Sequence, residues 1–284
     1  MSTASSLREA YLEVPGARLY YRCVGTGPLL VIGQGGAGDA DSANGLAAAL
    51  ARDFTVVSYD RRGLSRSTDD ALLQARPSLE IHVDDLARLV DALAPEAPVD
   101  YLGVSIGAVI GVALAARAPT RFRHLIAHEP PIAQVLPPER QAELTGVQQE
   151  LEATARKEGP RAAMRAFSRA LGVNPLDREE GVEIGAPGDL THLGKNLAVF
   201  LTHDAPAVRT HVFDLAALAA AADRLILAVG ASSAAALHAE PAFALARTFG
   251  RTVVTFPGGH AAFASHPRGW AAKLRALLLV ETSG

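Results

Sequence analysis

The chain has 284 residues, 49% of them hydrophobic and 20% charged, with a formal net charge of −3. That composition supplies an ordinary globular core, and the lack of a basic excess argues against a nucleic-acid or anionic-membrane partner. A single cysteine, Cys23, excludes an intrachain disulfide. No apolar signal region opens the chain and no charge-free run reaches the roughly 18 residues of a transmembrane span, so a cytoplasmic protein is expected.

Residues 1–9 read as a loose tail. Residues 11–14 and 18–24 flank Pro15-Gly16 and read as a β-hairpin. Residues 29–32 are continuously apolar, which predicts a strand buried on both faces. The strand ends in Gly33-Gln34-Gly35-Gly36-Ala37-Gly38, a loop with almost no side chains that lets backbone N–H groups approach a ligand closely. Phosphate binding is one reading, but no Gly-Lys-Ser/Thr follows. The other is half of an oxyanion site, with Gly35 and Gly36 as donors. A helix over 42–51 and a strand over 54–59 come next. Asp60-Arg61-Arg62-Gly63-Leu64-Ser65-Arg66-Ser67 then reads as a structural loop held by Asp60 and its arginines. Apolar residues at helical spacing predict a helix over 81–93.

Residues 99–119 organise the chain. A short apolar strand, 99–102, runs into Gly103-Val104-Ser105-Ile106-Gly107, and a nearly all-apolar helix follows until Pro119 stops it. A strand–turn–helix with Ser at the apex is the context in which G-x-S-x-G presents a nucleophile. The small neighbours admit the sharp turn, Ser105 Oγ is pushed out over the strand end, and the Ile106 N–H at the helix start can face a developing oxyanion. A glycine turn with an incidental serine is the plainer alternative; the flanking strand and buried helix favour the nucleophile.

Residues 125–128 form a short strand ending at Glu129-Pro130-Pro131. From 132 to 223 strands vanish and helical stretches appear at 139–157, 161–171 and 193–202, separated by loops such as 185–188. These residues read as a helical cap inserted into a core domain made of 1–131 and 224–284. The core resumes with a strand at 225–229, a helix near 242–248, a strand at 252–256, the loop Pro257-Gly258-Gly259-His260 and a closing helix at 269–279. Alternating strands and helices predict an α/β fold with a mostly parallel, doubly wound sheet. Ligands in such sheets sit at the carboxyl ends of the strands, where Ser105, the glycine loop, Glu129 and His260 all fall.

A serine hydroxyl needs a base, and the base an orienting carboxylate. Among nine histidines, His260 is best placed, in a glycine-rich loop after the last strand. His266 reads as structural, His124 precedes a strand, and His82 and His238 read as helix or loop surface. His192, His203 and His211 lie in the cap; with Asp204 they match no tight metal-ligand spacing, so no metal is expected. The acid usually follows the next-to-last strand, yet nothing from Arg224 to Ala239 is acidic. The remaining strand end able to present a carboxylate is that of Glu129. A charged residue in a proline-terminated turn is its plainer reading; the empty segment favours the catalytic one.

On these residues the chain resembles the α/β-hydrolase superfamily over essentially its whole length: the G-x-S-x-G elbow, the glycine loop, the Asp60-x-x-Gly63-x-Ser65 turn and Gly259-His260 fall in order. More narrowly it is similar to the zearalenone lactonases, in which the acid is a Glu in a His-Glu-x-Pro segment, matched by His128-Glu129-Pro130-Pro131, and in which no acid follows the seventh strand. The Pro257–His260 and Ser265-His266-Pro267 segments match as well. The chain departs from that family at Gln34, where the family has Asp, and in a cap without tryptophan, the only one being Trp270.

The resemblance implies an α/β-hydrolase fold of eight strands, with helices on both faces and a helical cap. It also implies a cofactor-free serine hydrolase cleaving an ester or lactone of a hydrophobic small molecule, in the narrow case a zearalenone-type macrolactone. Ser105 is the expected nucleophile, His260 the base and Glu129 the acid, with Gly35, Gly36 and Ile106 as oxyanion donors. Gln34, Leu197, Val199, Phe200, Leu201, Val208 and Val212 are expected to wall the substrate pocket. A homodimer is compatible with the sequence. Carbon–carbon hydrolysis or cofactor-free perhydrolysis by the same residues, or a ligand-binding protein without turnover, remain alternatives. Epoxide hydrolases and dehalogenases of this fold use Asp at the elbow, which disfavours their chemistry.

Overall fold

The apolar run Val99–Val104, buried at all six residues, forms a central strand of the sheet. The computed structural model describes residues 7–69, 71–72, 75–174, 176–182 and 190–279. Eight strands are present: β1 (Arg8–Val14), β2 (Ala17–Gly25), β3 (Leu29–Gly33), β4 (Thr55–Tyr59), β5 (Val99–Val104), β6 (Phe122–His128), β7 (Leu225–Gly230) and β8 (Val254–Phe256). Their spatial order is β1-β2-β4-β3-β5-β6-β7-β8. The hairpin β1–β2 and the β2–β4 pair are antiparallel, and every other pair is parallel. The fold is therefore the expected mostly parallel, doubly wound α/β sheet. Residues 1–6 of the expected tail and the loop at 185–188 lie outside the described residues; β1 begins at Arg8, inside that tail.

Register carries the functional consequence. Gly33 pairs with Gly103, Val104 with His128 and His128 with Ala228. The ends of β3, β5, β6 and β7 are therefore level, and the loops that follow them open along one edge of the sheet.

Helices cover both faces. On one, α1 (Asn44–Leu50) and α10 (Pro267–Leu278) pack Leu46, Leu50, Trp270 and Leu274 against the sheet. On the other, α2 (Leu79–Leu93), α3 (Ile106–Arg117) and α9 (Glu240–Thr248) bury Leu86, Val109 and Leu245. Each such side chain contributes about 1.5–3 kcal/mol of apolar transfer free energy. The small residues of α3 let it lie close to the sheet: a Cβ at Gly111 would come 2.6 Å from the Tyr101 ring.

Among the described residues, no strand lies between β6 and β7. That segment holds α4 (Pro138–Glu158), α5 (Pro160–Ala170), α6 (Leu190–Val199), α7 (Ala205–Thr210) and the short α8 (Leu215–Leu218). Pro138 and Pro160 start their helices at the position where a missing N–H costs nothing. Gly159, at φ +89°, breaks the chain between them. A π-helical turn, Phe200–Asp204, joins α6 to α7 and shifts the register of side chains along the continuous helix. No described helix is long and apolar enough to cross a membrane.

Candidate active site

Ser105 sits in the turn between β5 and α3 at φ +53° and ψ −119°, a strained conformation for a residue with a side chain. The glycines on either side are sterically required. A Cβ at Gly103 would lie 2.5 Å from Ala108 Cα, and one at Gly107 would collide with the Gly33 carbonyl oxygen. The Ser105 N–H donates to His128 O at 2.9 Å, which ties the turn to the neighbouring strand.

His260 lies in the loop after β8. Its Nδ1 is 2.6 Å from Glu129 Oε2, the shortest hydrogen bond that ring makes. Glu129 is fully buried just past β6, at φ +46°, and its N–H extends the β6–β7 ladder to Ala228 O at 2.9 Å. The carboxylate is saturated. Oε1 accepts from Gly230 N–H at 2.8 Å and from the Ser233 hydroxyl, and Oε2 faces His260 and, at 3.3 Å, His238 Nε2. Burial alone would push this carboxyl up; the two imidazoles overcome it and hold the group well below the ordinary carboxylate range. His128, sealed between Phe256 and Trp270, is pushed down to about 3 by burial and stays neutral.

Ser105 and His260 open onto the same cleft, and no hydrogen bond joins Ser105 Oγ to His260 among the described residues. Such contacts are commonly loose before substrate binds. The glycine loop expected to supply oxyanion donors lies against Ser105. Gly35 passes so close that a Cβ on it would lie 3.1 Å from Ser105 Cβ. Ile106 begins α3, where the first N–H groups have no acceptor within the helix.

Two apolar clefts meet at Ser105. One, with a volume of about 120 Å³, is walled by Leu144, Leu151, Phe200, Leu201 and Val208. The other runs along Gly35, Gly36, Ala37, Met164 and Phe263. Phe167 and Leu171 border both.

Several expected wall residues lie elsewhere. Gln34 is buried, its side-chain amide has no hydrogen-bond partner, and it lines neither cleft. Leu197 is buried away from both clefts, and Val199 packs on Leu64 and Leu72. Val212 is 79% exposed. His82 and His238, expected at the surface, are buried; His82 contacts Asp204 and His238 the Glu129 carboxylate. Sequence reasoning also missed Ser233, although it stands in the segment noted for lacking an acid.

The Asp60 turn is held as expected, with Asp60 accepting from Ala40 N–H and from Arg66, and Arg62 paired to Asp85 and Asp69. Arg61 departs from that pattern. It is buried and reaches the Asp204 carboxylate of the π-helical turn at 2.9 Å. Two groups bring metal-ligating atoms within 4.8 Å of one another: His82, His203 and Asp204, and Glu129, His238 and His260. In the first, the Arg61 guanidinium already neutralises Asp204, which opposes a further cation. The second is the Glu129–His260 pair with His238 beside it.

A family model described as the alpha/beta hydrolase fold matches residues 28–178. The chain is 30% identical over 280 residues to an uncharacterized hydrolase, YraK, of Bacillus subtilis (strain 168), covering 97% of this chain and 98% of that protein. Among solved structures, the Cif epoxide hydrolase from Acinetobacter nosocomialis superposes with a TM-score of 0.73 at 17% identity, covering 98% of this chain and 90% of the other. The enol-lactonase from Burkholderia xenovorans LB400 does so with a TM-score of 0.65 at 22% identity, covering 95% and 100%. At these identities the two structures speak to the fold.

Proposed function

The chain belongs to the alpha/beta hydrolase fold family, and from that premise we propose that it is a serine hydrolase cleaving an ester or lactone of a hydrophobic small molecule. The observation that carries this reading is the 2.6 Å contact between His260 Nδ1 and a buried, ionised Glu129, set beside the strained Ser105 turn at the foot of an apolar cleft. Glu129 holds His260 as the tautomer whose Nε2 is free to accept a proton. Ser105 Oγ adds to the carbonyl carbon, its proton passes to His260 Nε2, and the imidazolium is stabilised by Glu129. The carbonyl oxygen, now negative, is taken up by the N–H groups of Ile106 and of Gly35 or Gly36. Collapse expels the alcohol, which takes the proton from His260. Water then releases the acid by the same steps, and Ser105 is regenerated.

The helical segment 132–223 is the proposed cap: Leu144, Phe200, Leu201 and Val208 from it form the apolar wall facing Ser105. The narrower reading is a resorcylic macrolactone such as zearalenone, supported by the His128-Glu129-Pro130-Pro131 segment. The test is product analysis by mass spectrometry, wild type against Ser105→Ala, on zearalenone, smaller lactones and aryl esters. Ser105-dependent opening of the macrolactone supports the narrow reading. Turnover of the simple esters alone leaves the serine-hydrolase reading and removes the macrolactone. No Ser105-dependent product from any of them, together with no labelling of Ser105 by a fluorophosphonate, overturns both.

A further inference from the structure

Every carbonyl from Gln34 to Ala37 is held. Arg61 Nη1 donates to Gln34 O at 2.7 Å and Arg61 Nη2 to Gly36 O. Gly38 N–H donates to Gly35 O at 2.9 Å, and Asn196 Nδ2 to Ala37 O at 3.2 Å. A trans peptide is a rigid plane whose C=O and N–H point in opposite directions. Holding Gln34 O therefore aims the Gly35 N–H, and holding Gly36 O fixes the far side of the Gly35–Gly36 unit.

The guanidinium that does this is itself held. Arg61 is 1% exposed, and Asp204 Oδ2 accepts from its Nη2 at 2.9 Å. The other Asp204 oxygen faces His82 Nε2 at 3.0 Å and His203 Nδ1 at 3.4 Å. Burial would push the Asp204 carboxyl up, but His82 and Arg61 hold it below the ordinary range, so Arg61 meets a full negative charge. Asp204 ends the π-helical turn whose first residues, Phe200 and Leu201, wall the substrate cleft.

We propose that Arg61, anchored by Asp204, is a positioning residue that aims the oxyanion-binding amides of the glycine loop and joins their alignment to the helical segment over the cleft. The proposal rests on the serine-hydrolase reading. A loop of glycines has no side chains with which to set its own peptide planes, and oxyanion stabilisation depends on donors fixed before charge develops. A buried ion pair is by itself weak evidence of a stabilising role; here the guanidinium spends two further donors on the loop.

The test uses the full chain and first confirms, with a fluorophosphonate and a p-nitrophenyl ester, that wild-type Ser105 is reactive. If it is not, the serine-hydrolase reading fails and the proposal with it. Given a reactive Ser105, Arg61→Lys and Asp204→Asn are compared with Asp85→Asn, which removes the equivalent partner of Arg62 away from the loop. The measurements are kcat, KM, Tm and the Ki of a trifluoromethyl ketone, whose adduct with Ser105 places a negative oxygen in the oxyanion site. Arg61→Lys and Asp204→Asn are expected to lower kcat by about tenfold to a hundredfold with little change in KM, and to raise Ki by the same factor. Asp85→Asn lowers Tm and leaves Ki unchanged. If Arg61→Lys and Asp204→Asn lose Tm but keep kcat and Ki within threefold of wild type, the pair is a structural brace and the proposal is overturned. Either variant alone decides if the other does not fold.

Discussion

Ser233, at the end of β7, donates its hydroxyl to Oε1 of Glu129, at the end of β6, so that a carboxylate from one strand occupies the ground above the next. The strands are hydrogen-bonded neighbours in register, and Glu129 at φ +46° turns its side chain across the gap toward His260. The last residue of β7 thus supplies a backbone N–H, and the segment after it a hydroxyl, to hold a carboxylate that arises elsewhere.

Replacing Glu129 by Gln is expected to lower kcat by about 10⁴, because an amide no longer stabilises the imidazolium and can favour the wrong tautomer. Ser233→Ala, which removes one of several contacts to the carboxylate, should cost only about tenfold. Steady-state kinetics on any Ser105-dependent ester measures both. Near-full activity in Glu129→Gln would show that the orienting acid lies elsewhere.

Asp204 ties stability to acid. Its folded-state value lies below the ordinary carboxylate range, whereas in the unfolded chain it titrates near 4. The contribution is present above about pH 4 and is lost as the pH falls below that toward the folded value. Between pH 6 and pH 3, Tm should therefore fall more steeply in wild type than in Asp204→Asn. Parallel curves would mean that the carboxylate titrates alike in the folded and the unfolded chain.

Two glycines are expected to respond in opposite directions. At Gly107 an added methyl meets the Gly33 backbone carbonyl, which cannot move without breaking the sheet, so Gly107→Ala should destabilise by about 3 kcal/mol or more. At Gly146, inside α4, an added methyl meets nothing within 4 Å, so Gly146→Ala should stabilise by about 0.5–1 kcal/mol. Urea titrations of the two variants check both signs.

Phe167 borders both clefts at Ser105. Phe167→Ala should join them and raise kcat/KM for esters bulky on both sides of the carbonyl relative to short-chain esters. An unchanged ratio across an acyl-length and alcohol-size series would show that the clefts hold the substrate independently of that ring.

The sheet was legible because its strands are apolar runs ended by glycine and proline, and because β5 and α3 carry residues that fit only a sharp, buried turn. The proximity of Glu129 and His260 was legible through the missing acid between Arg224 and Ala239. The pocket was less so. Leu197 and Phe200 are both apolar residues of one helical stretch, and only the packing of that stretch on the core decides that Phe200 meets the cleft and Leu197 does not. His238 read as surface because nothing near it in sequence announces Glu129, 109 positions earlier by difference of their numbers. The Arg61–Asp204 pair spans 143 positions, and its partners on the loop are backbone carbonyls, which leave no trace in residue identity.

Two of the polar contacts that tie the segment over the cleft to the core, those of Asn196 and Asp204, set limits on how this scaffold can be recombined. Asn196 clasps Ser65 as well as Ala37 O, and Asp204 neutralises Arg61. A foreign cap grafted between β6 and β7 to change substrate range would strand a buried guanidinium and release a carbonyl of the glycine loop, whatever the quality of its new walls. Transplants that carry an asparagine and an aspartate at these two positions should retain turnover where wholesale exchanges lose it, so the segment is portable only with the fastenings that also hold the glycine loop.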